Sequence, residues 1–345
     1  MYLRLIKHIF LLALFVIPQC FANEINGDYL VRKALQELLQ KGDPDKVGDL
    51  LEKANSQYPN FKLANYLQAE YYSAMAGQLP GVNNARINSE ASKNLFDEAK
   101  LRIASPANAY ALRPMQIFKI PNNINYVILV DASISRAYIF KNQQGEPVLD
   151  NDFFITVGQL GVGKQKEGDQ RTPLGLYRVG REVEKKHLTP LYGVGALILD
   201  FPNSFDKYQK KSGSGIWLHG VPPNVYNRPP KASDGCIVFT NSDFKYILKI
   251  SREKRVYVLV SSSVKWLTLK DWRFRYNKLI NDLSDQILIK TANSSVMGFF
   301  APESEQQIIL ERAIVNDSSQ VYREFWERAD QSWQLKFKSV NKLGG

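Results

Sequence analysis

Two periods of apolar spacing divide this chain. Between about residues 28 and 106 the period is helical: Val47, Leu50, Leu51 and Ala54 fall at i, i+3, i+4 and i+7 behind the capping pair Asp43-Pro44, and Ile87, Ala91, Leu95 and Ala99 recur every four residues. Residues 29–40 and 61–76 carry two further helical patterns. An all-α module over 23–115 is therefore expected.

From Tyr126 the period shortens to that of strands. Residues 126–130, 136–140, 153–157, 174–179, 196–199, 216–219, 237–239 and 255–260 are short apolar or alternating runs punctuated by glycine and proline, with a turn at Asn142-Gln143-Gln144-Gly145. That density predicts a β-rich sandwich or barrel over 124–262, with one helix over 242–250 and Asn241 as its cap. The rest, 264–345, reads as a small α+β appendage: an amphipathic helix through Leu279 and Leu283, then strands at 296–300, 307–315, 320–328 and 333–340. The fold class is thus multidomain α and β. Residues 39–69 resemble a single tetratricopeptide repeat, too little for a solenoid. The helical module is either a surface for a protein partner or wall strand, or a structural prefix packed on the next domain.

Residues 1–22 break both patterns. Arg4 and Lys7 precede an apolar run from Ile9 to Ile17, and Cys20-Phe21-Ala22 has small-x-small character, so a secretory signal peptide cleaved near Ala22 is expected, with a periplasmic product. Nine apolar residues are well short of the roughly 20 that span a bilayer, and no other run approaches that length, so no membrane span is expected. Gln19 stands where lipidation of Cys20 would want a small residue. Loss of Arg4 and Lys7 lowers the formal charge from +11 to +9, spread along the chain without a basic run. A basic exported protein suits an anionic wall, and without a recognisable binding module nucleic acid is not an expected partner.

Export gives Cys236 its interest, because it is the one cysteine after the leader and cannot form an internal disulfide. It lies seventeen residues after His219, within Ser233-Asp234-Gly235-Cys236, while His219 ends the run Ile216-Trp217-Leu218-His219-Gly220. A thiol and an imidazole are a nucleophile and its base. Gly235 permits a tight turn that aims N–H groups at a developing oxyanion, and Ser233 is placed to hold that turn or orient the imidazole. Gly158 to Gln165 nearly spells a phosphate-binding loop, but Gln165 replaces the required hydroxyl and Arg171-Thr172-Pro173 replaces the helix. Zinc is excluded by the donor set, one cysteine with His187 and His219, so no metal or other cofactor is expected.

These motifs resemble the L,D-transpeptidase catalytic domain. His219-Gly220 and Ser233-Asp234-Gly235-Cys236 look like its His-Gly and Ser-x-Gly-Cys signature, and Thr172-Pro173-Leu174-Gly175 resembles its Thr-Pro-x-Gly approach; the resemblance spans about 124–260. Asp234 departs from the histidine many members carry, and Val238 from their arginine two residues after the cysteine; Arg228 is the candidate replacement cation. The resemblance implies chemistry on peptidoglycan stem peptides. Cys236 would form a thioester, His219 would move the proton, and Gly235 and Cys236 N–H groups would hold the oxyanion, with Gly220, Arg228, Asp234 and Thr172 around the substrate. An amine acceptor gives a 3–3 crosslink, and water gives a trimmed stem. The loop 164–169 also resembles that of trimming members that shape curved cells, and the C-terminal segment resembles their β-rich appendage. A non-catalytic wall-binding scaffold is the reading from another class, against which the intact Cys236, His219 and Gly235 weigh. A papain-like protease would place its cysteine early and its histidine far downstream.

Overall fold

The computed structural model describes residues 26–40, 42–77, 90–106, 108–283, 294–314, 317–330 and 332–342. The leader, Cys20 and Ile87 lie outside the described residues. Helices α1 (Gly27–Leu39), α2 (Pro44–Gln57), α3 (Lys62–Met75) and α4 (Glu90–Ile103) come first. Asn26 caps α1 by accepting from Tyr29 N–H, and Asp43 caps α2 by accepting from Asp45 N–H, with Pro44 in the first turn where its missing donor costs nothing. Their apolar stripes meet in two clusters, one around Leu30, Val31, Leu35, Ala54, Phe61 and Leu63, which Tyr226 from the β-rich region joins, and one of Ala34, Val47 and Leu51.

Short strands β1 (Leu112–Pro114) and β2 (Ile117–Lys119) follow, then β3 (Tyr126–Asp131), β4 (Arg136–Gln143), β5 (Glu146–Phe154), β6 (Val157–Gly158), β7 (Gly175–Glu182) and β8 (Ala196–Leu199). After a short helix α5 (Ser204–Tyr208) come β9 (Trp217–His219), β10 (Lys231–Ser233), β11 (Ile237–Val238), helix α6 (Asn241–Glu253) and β12 (Val256–Ser261). Eight of these strands form one mixed sheet in the order β11-β9-β8-β7-β12-β3-β4-β5, with β12 parallel to β3 and β11 parallel to β9; β10 pairs with β6 apart from it. The central strands are buried on both faces. In β12, Val256, Val258 and Val260 face the cluster that contains Phe244 and Ile247 of α6, while Tyr257 and Leu259 face the opposite cluster. This is why the sequence there reads as an unbroken apolar run.

The sheet curls until its edges meet: Thr156 and Val238 exchange backbone hydrogen bonds at 2.9 Å and Phe153 packs edge-on against Phe239, so the strands enclose one cluster with α6, in keeping with the β-rich barrel expected over 124–262. The opposite cluster is covered by a second sheet from later in the chain. After β13 (Trp266–Thr268) and α7 (Leu269–Leu283), strands β14 (Ser294–Phe300), β15 (Gln307–Ile314), β16 (Asp317–Ala329) and β17 (Ser332–Lys342) form a sheet in the order β17-β16-β15-β14-β2. Phe300, Ile309 and Phe325 pack directly on Val127, Leu129, Tyr138 and Phe140 of the central sheet. Segments distant in sequence interleave, since β1 pairs with β13 and β2 with β14. Helix α6 is capped by Thr240 rather than Asn241: the Thr240 hydroxyl accepts from Asp243 N–H, and the Asn241 side chain is engaged elsewhere.

Candidate active site

Parallel pairing of β9 with β11 sets the register of the site. Val238 lies opposite His219, and Cys236 immediately precedes β11, which brings the two residues to neighbouring segments of the sheet. The positive charge of Arg228 bears on both groups.

His219 is buried and its tautomer is fixed. Nδ1 lies 2.7 Å from the Gly220 carbonyl oxygen, which can only accept, so Nδ1 carries the proton and Nε2 keeps its lone pair. Burial pushes the imidazole down to about 4, against the upward pull of the Gly220 carbonyl, and Arg228 adds to the depression. Tyr192 packs edge-on against the ring at 5.0 Å. Cys236 is a free, partly buried thiol whose Sγ–H donates to the Gly215 carbonyl at 3.4 Å. Burial raises its pKa and Asp234 adds to that; a hydrogen bond from the Trp217 backbone and the charges of Arg228 and Lys164 pull the other way. The resting pair is therefore neutral thiol and neutral imidazole, with the base poised to take the proton when the thiol attacks.

The turn before Cys236 is built by Ser233, Gly235 and Thr172. Ser233 Oγ donates to the Cys236 carbonyl at 2.6 Å and accepts from Gly235 N–H at 3.2 Å. Ser233 therefore holds the turn, and the Gly235 N–H is already committed, so of the two expected oxyanion donors only the Cys236 N–H remains. Gly235 has φ +121, and a Cβ there would come within 2.7 Å of the Arg171 carbonyl oxygen. Thr172 is fully buried and donates to the Gly235 carbonyl. It braces the turn from beneath, which places it behind the site.

The remaining expected residues are arranged around this core. Asp234 is exposed and accepts from Gln170 Nε2 at 3.4 Å. Gly220 fits against Asn241, whose Oδ1 would be 2.3 Å from an added Cβ. Arg228 is half-buried, its carbonyl accepting from Thr156 Oγ1 at 3.2 Å. His187 is exposed on a short 3-10 turn away from the motif. The glycine-rich stretch after β6 leads to a loop closed by a 2.8 Å ion pair between Lys164 and Asp169, not to a helix. The sequence reading missed Asn241, Trp217 and Lys164 as contributors. Asn241 gave a signal only as a helix cap, and backbone roles such as that of Trp217 leave none. Among the described residues no cluster of three or more His, Cys, Asp or Glu side chains could hold a metal, and no helix is long and apolar enough to cross a membrane.

Residues 125–259 match the YkuD family, the L,D-transpeptidase catalytic domain. Among solved structures, Bd1075 of Bdellovibrio bacteriovorus is 18% identical, with 68% of this chain and 99% of that chain covered and a TM-score of 0.53, a likeness of fold. The helical cell shape determining protein Pgp2 of Campylobacter jejuni is 18% identical over 72% of this chain and 92% of its own, with a TM-score of 0.41. An L,D-transpeptidase of Stackebrandtia nassauensis is 16% identical over 50% of this chain and 68% of its own, with a TM-score of 0.29. No curated protein matches the chain.

Proposed function

We propose, from the match of residues 125–259 to the L,D-transpeptidase catalytic domain, that this chain is an exported, periplasmic cysteine acyltransferase of peptidoglycan stem peptides. The Cys236 sulfur attacks the carbonyl at the L centre of the third residue, a diamino acid, as His219 Nε2 takes the thiol proton. The new C–S bond forms, the peptide C–N bond breaks, and the same proton leaves on the amine of the terminal D-amino acid. The Cys236 N–H faces the oxyanion, and such a donor is worth about 3–4 kcal/mol. Arg228 supplies the cation for a substrate carboxylate in place of the arginine absent at Val238. The observation that carries this reading is the His219 Nδ1 bond to Gly220, which leaves the Nε2 lone pair free on the strand that pairs with the one Cys236 leads into.

Transfer to the side-chain amine of a second stem, giving a 3–3 crosslink, is the first assignment of acceptor, because the proline-rich segment between the two motifs is suited to shield the thioester from water. Water as acceptor is the second reading. It is favoured by the loop 164–169, which resembles that of trimming members and is held by its ion pair with Lys164 charge reaching Cys236. Incubation with disaccharide tetrapeptide, followed by mass analysis, separates them: a tetrapeptide-tripeptide dimer is expected, and tripeptide alone, unaffected by added acceptor stem, assigns trimming. Cys236→Ala should give neither product. Turnover by that variant would remove the enzyme reading.

A further inference from the structure

The loop from Val221 to Pro230 joins the strand bearing His219 to the turn bearing Cys236. Its two ends are fixed within the β-rich region. Asn241 Nδ2 donates to the Val221 carbonyl at 2.8 Å and Asn241 Oδ1 accepts from Val221 N–H at 3.2 Å, while Thr156 Oγ1 donates to the Pro229 carbonyl at 2.8 Å and Val157 N–H to the Pro230 carbonyl at 3.0 Å.

The middle of the loop is held by the N-terminal helices. The Tyr226 ring stacks on Phe61 at 4.2 Å, and its hydroxyl accepts from the Asp28 N–H at 3.1 Å. Gly27 makes that approach feasible, since a Cβ there would lie 2.6 Å from the Tyr226 hydroxyl oxygen. Next in the chain, Asn227 Nδ2 donates both to Glu98 Oε1 at 3.0 Å and to the Arg228 carbonyl at 2.9 Å. Glu98 is itself fixed, accepting from Arg102 Nε at 2.9 Å and Nη2 at 2.7 Å in a buried pair.

We propose that Asn227, held by Glu98, is a positioning residue, through which the N-terminal helices set Arg228 beside the Cys236–His219 pair and so control how a stem peptide engages the site. The inference rests on the reading of Cys236 as the acylated nucleophile. A single amide here links two elements with different tasks: one bond reaches the helices, the other the backbone of Arg228. Arg228 feels any displacement of the loop directly, and its charge acts on both members of the pair. The alternative is that these bonds only fasten the helices to the rest of the molecule.

The test compares the full chain with Asn227→Ala, Asn227→Asp and the double variant Glu98→Gln with Asn227→Asp. Three quantities are read: thioester formation on Cys236 from disaccharide tetrapeptide, alkylation of Cys236 by iodoacetamide, and the thermal midpoint. Asn227→Ala should slow thioester formation by on the order of tenfold to a hundredfold, the scale of a small misplacement, and slow alkylation less, since Arg228 is one of two cations acting on the thiol. Asn227→Asp sets two carboxylates against each other and should slow it further. The double variant restores the bond to residue 98 with the donor direction reversed but leaves the Arg228 carbonyl without its donor, so it should regain the thermal midpoint and not the rate. Gly27→Ala improves helix propensity yet displaces Tyr226, and should reproduce the loss. The proposal is overturned if Asn227→Ala forms thioester at the parent rate, or if the double variant regains the rate along with the parent's thermal midpoint. A parent chain that forms no thioester at all overturns instead the assignment of Cys236, so the two failures are distinguishable.

Discussion

The Thr172 hydroxyl donates to the Gly235 carbonyl at 2.9 Å, and in the same position its oxygen accepts the Gly158 N–H at 2.9 Å. One buried side chain thus couples the turn before Cys236 to the strand end at β6. The Gly235 backbone, at φ +121, has no Cβ with which to pack, so its conformation depends on such bonds.

Thr172→Val keeps the shape and removes the hydroxyl, leaving two buried backbone groups without a partner. Each such group costs about 1–3 kcal/mol. A lower midpoint in urea and slower thioester formation are expected, and Thr172→Ser should retain both properties. Valine with parent stability and rate would show that the turn holds itself.

The neutral resting pair sets a pH signature. Burial raises the Cys236 thiol, so its alkylation should climb about tenfold per pH unit through pH 8, following the thiolate fraction. A plateau beginning near pH 6 would reveal a thiolate–imidazolium pair and defeat this description. His219, pushed down to about 4 by burial, stays neutral in the fold while the unfolded chain takes up a proton at its usual 6.5. Its contribution is therefore fully present above pH 6.5 and is lost as pH falls through 4, about 3 kcal/mol in all at 1.36 kcal/mol per unit. His219→Gln should flatten the stability profile over that interval, as read by denaturation at several pH values.

How much of this was legible depends on what each feature leaves in the chain. The helical stripes of α1 to α3 and the doubly buried run of β12 are one-residue patterns, and periodicity reveals them. Cys236 and His219 stand out in the sequence as candidates because a thiol and an imidazole are a nucleophile and its base. The bond from Ser233 to the Cys236 carbonyl is local and was partly legible, since a hydroxyl two residues before a glycine suits a turn. By contrast, β1 and β2 are three residues long and exist through partners about 150 to 180 positions away, Trp266 to Thr268 and Phe299 to Phe300. Nothing local specifies such pairs. The same holds for the sheet of β14 to β17 that packs on the central one, and for Asn227, whose significance arises from Glu98, 129 positions away.

Asp243 carries a second pH effect of opposite sign. It is buried in the first turn of α6, its Oδ2 has no hydrogen-bond partner, and burial pushes the carboxyl up to about 7. The fold then holds a proton that the unfolded chain releases near 3.8, so stability falls as pH rises from 3.8 to 7 and stays lower above. Asp243→Asn imitates the protonated form. It should stabilise the protein at pH 8 by on the order of 1–3 kcal/mol and change little at pH 4. Equal effects at both pH values would mean that the carboxyl is not protonated in the fold.

Asp28 lies outside residues 125–259, yet its carboxylate accepts from two fully buried arginines, Arg102 and Arg136, the latter at 2.7 Å on strand β4. Burial alone would raise its pKa, but Arg136, Arg102 and Arg32 overcome this and hold it well below the carboxylate range. Asp28→Ala leaves Arg102 with Glu98 and Arg136 with Asp152, each one partner short, and removing a member of a buried ion pair costs about 3–5 kcal/mol. A fall of that size in unfolding free energy is expected. Separate cores would let the helices and the β-rich region each fold alone; the shared charge network and the Tyr226 contact argue for joint unfolding instead. A chain starting at Pro114 should accordingly lose more stability than Asp28→Ala, and the full chain should unfold in one urea transition by both circular dichroism and Trp fluorescence. Two separated transitions, with the shortened chain keeping the midpoint of the second, would show that the network only decorates an interface between independent units.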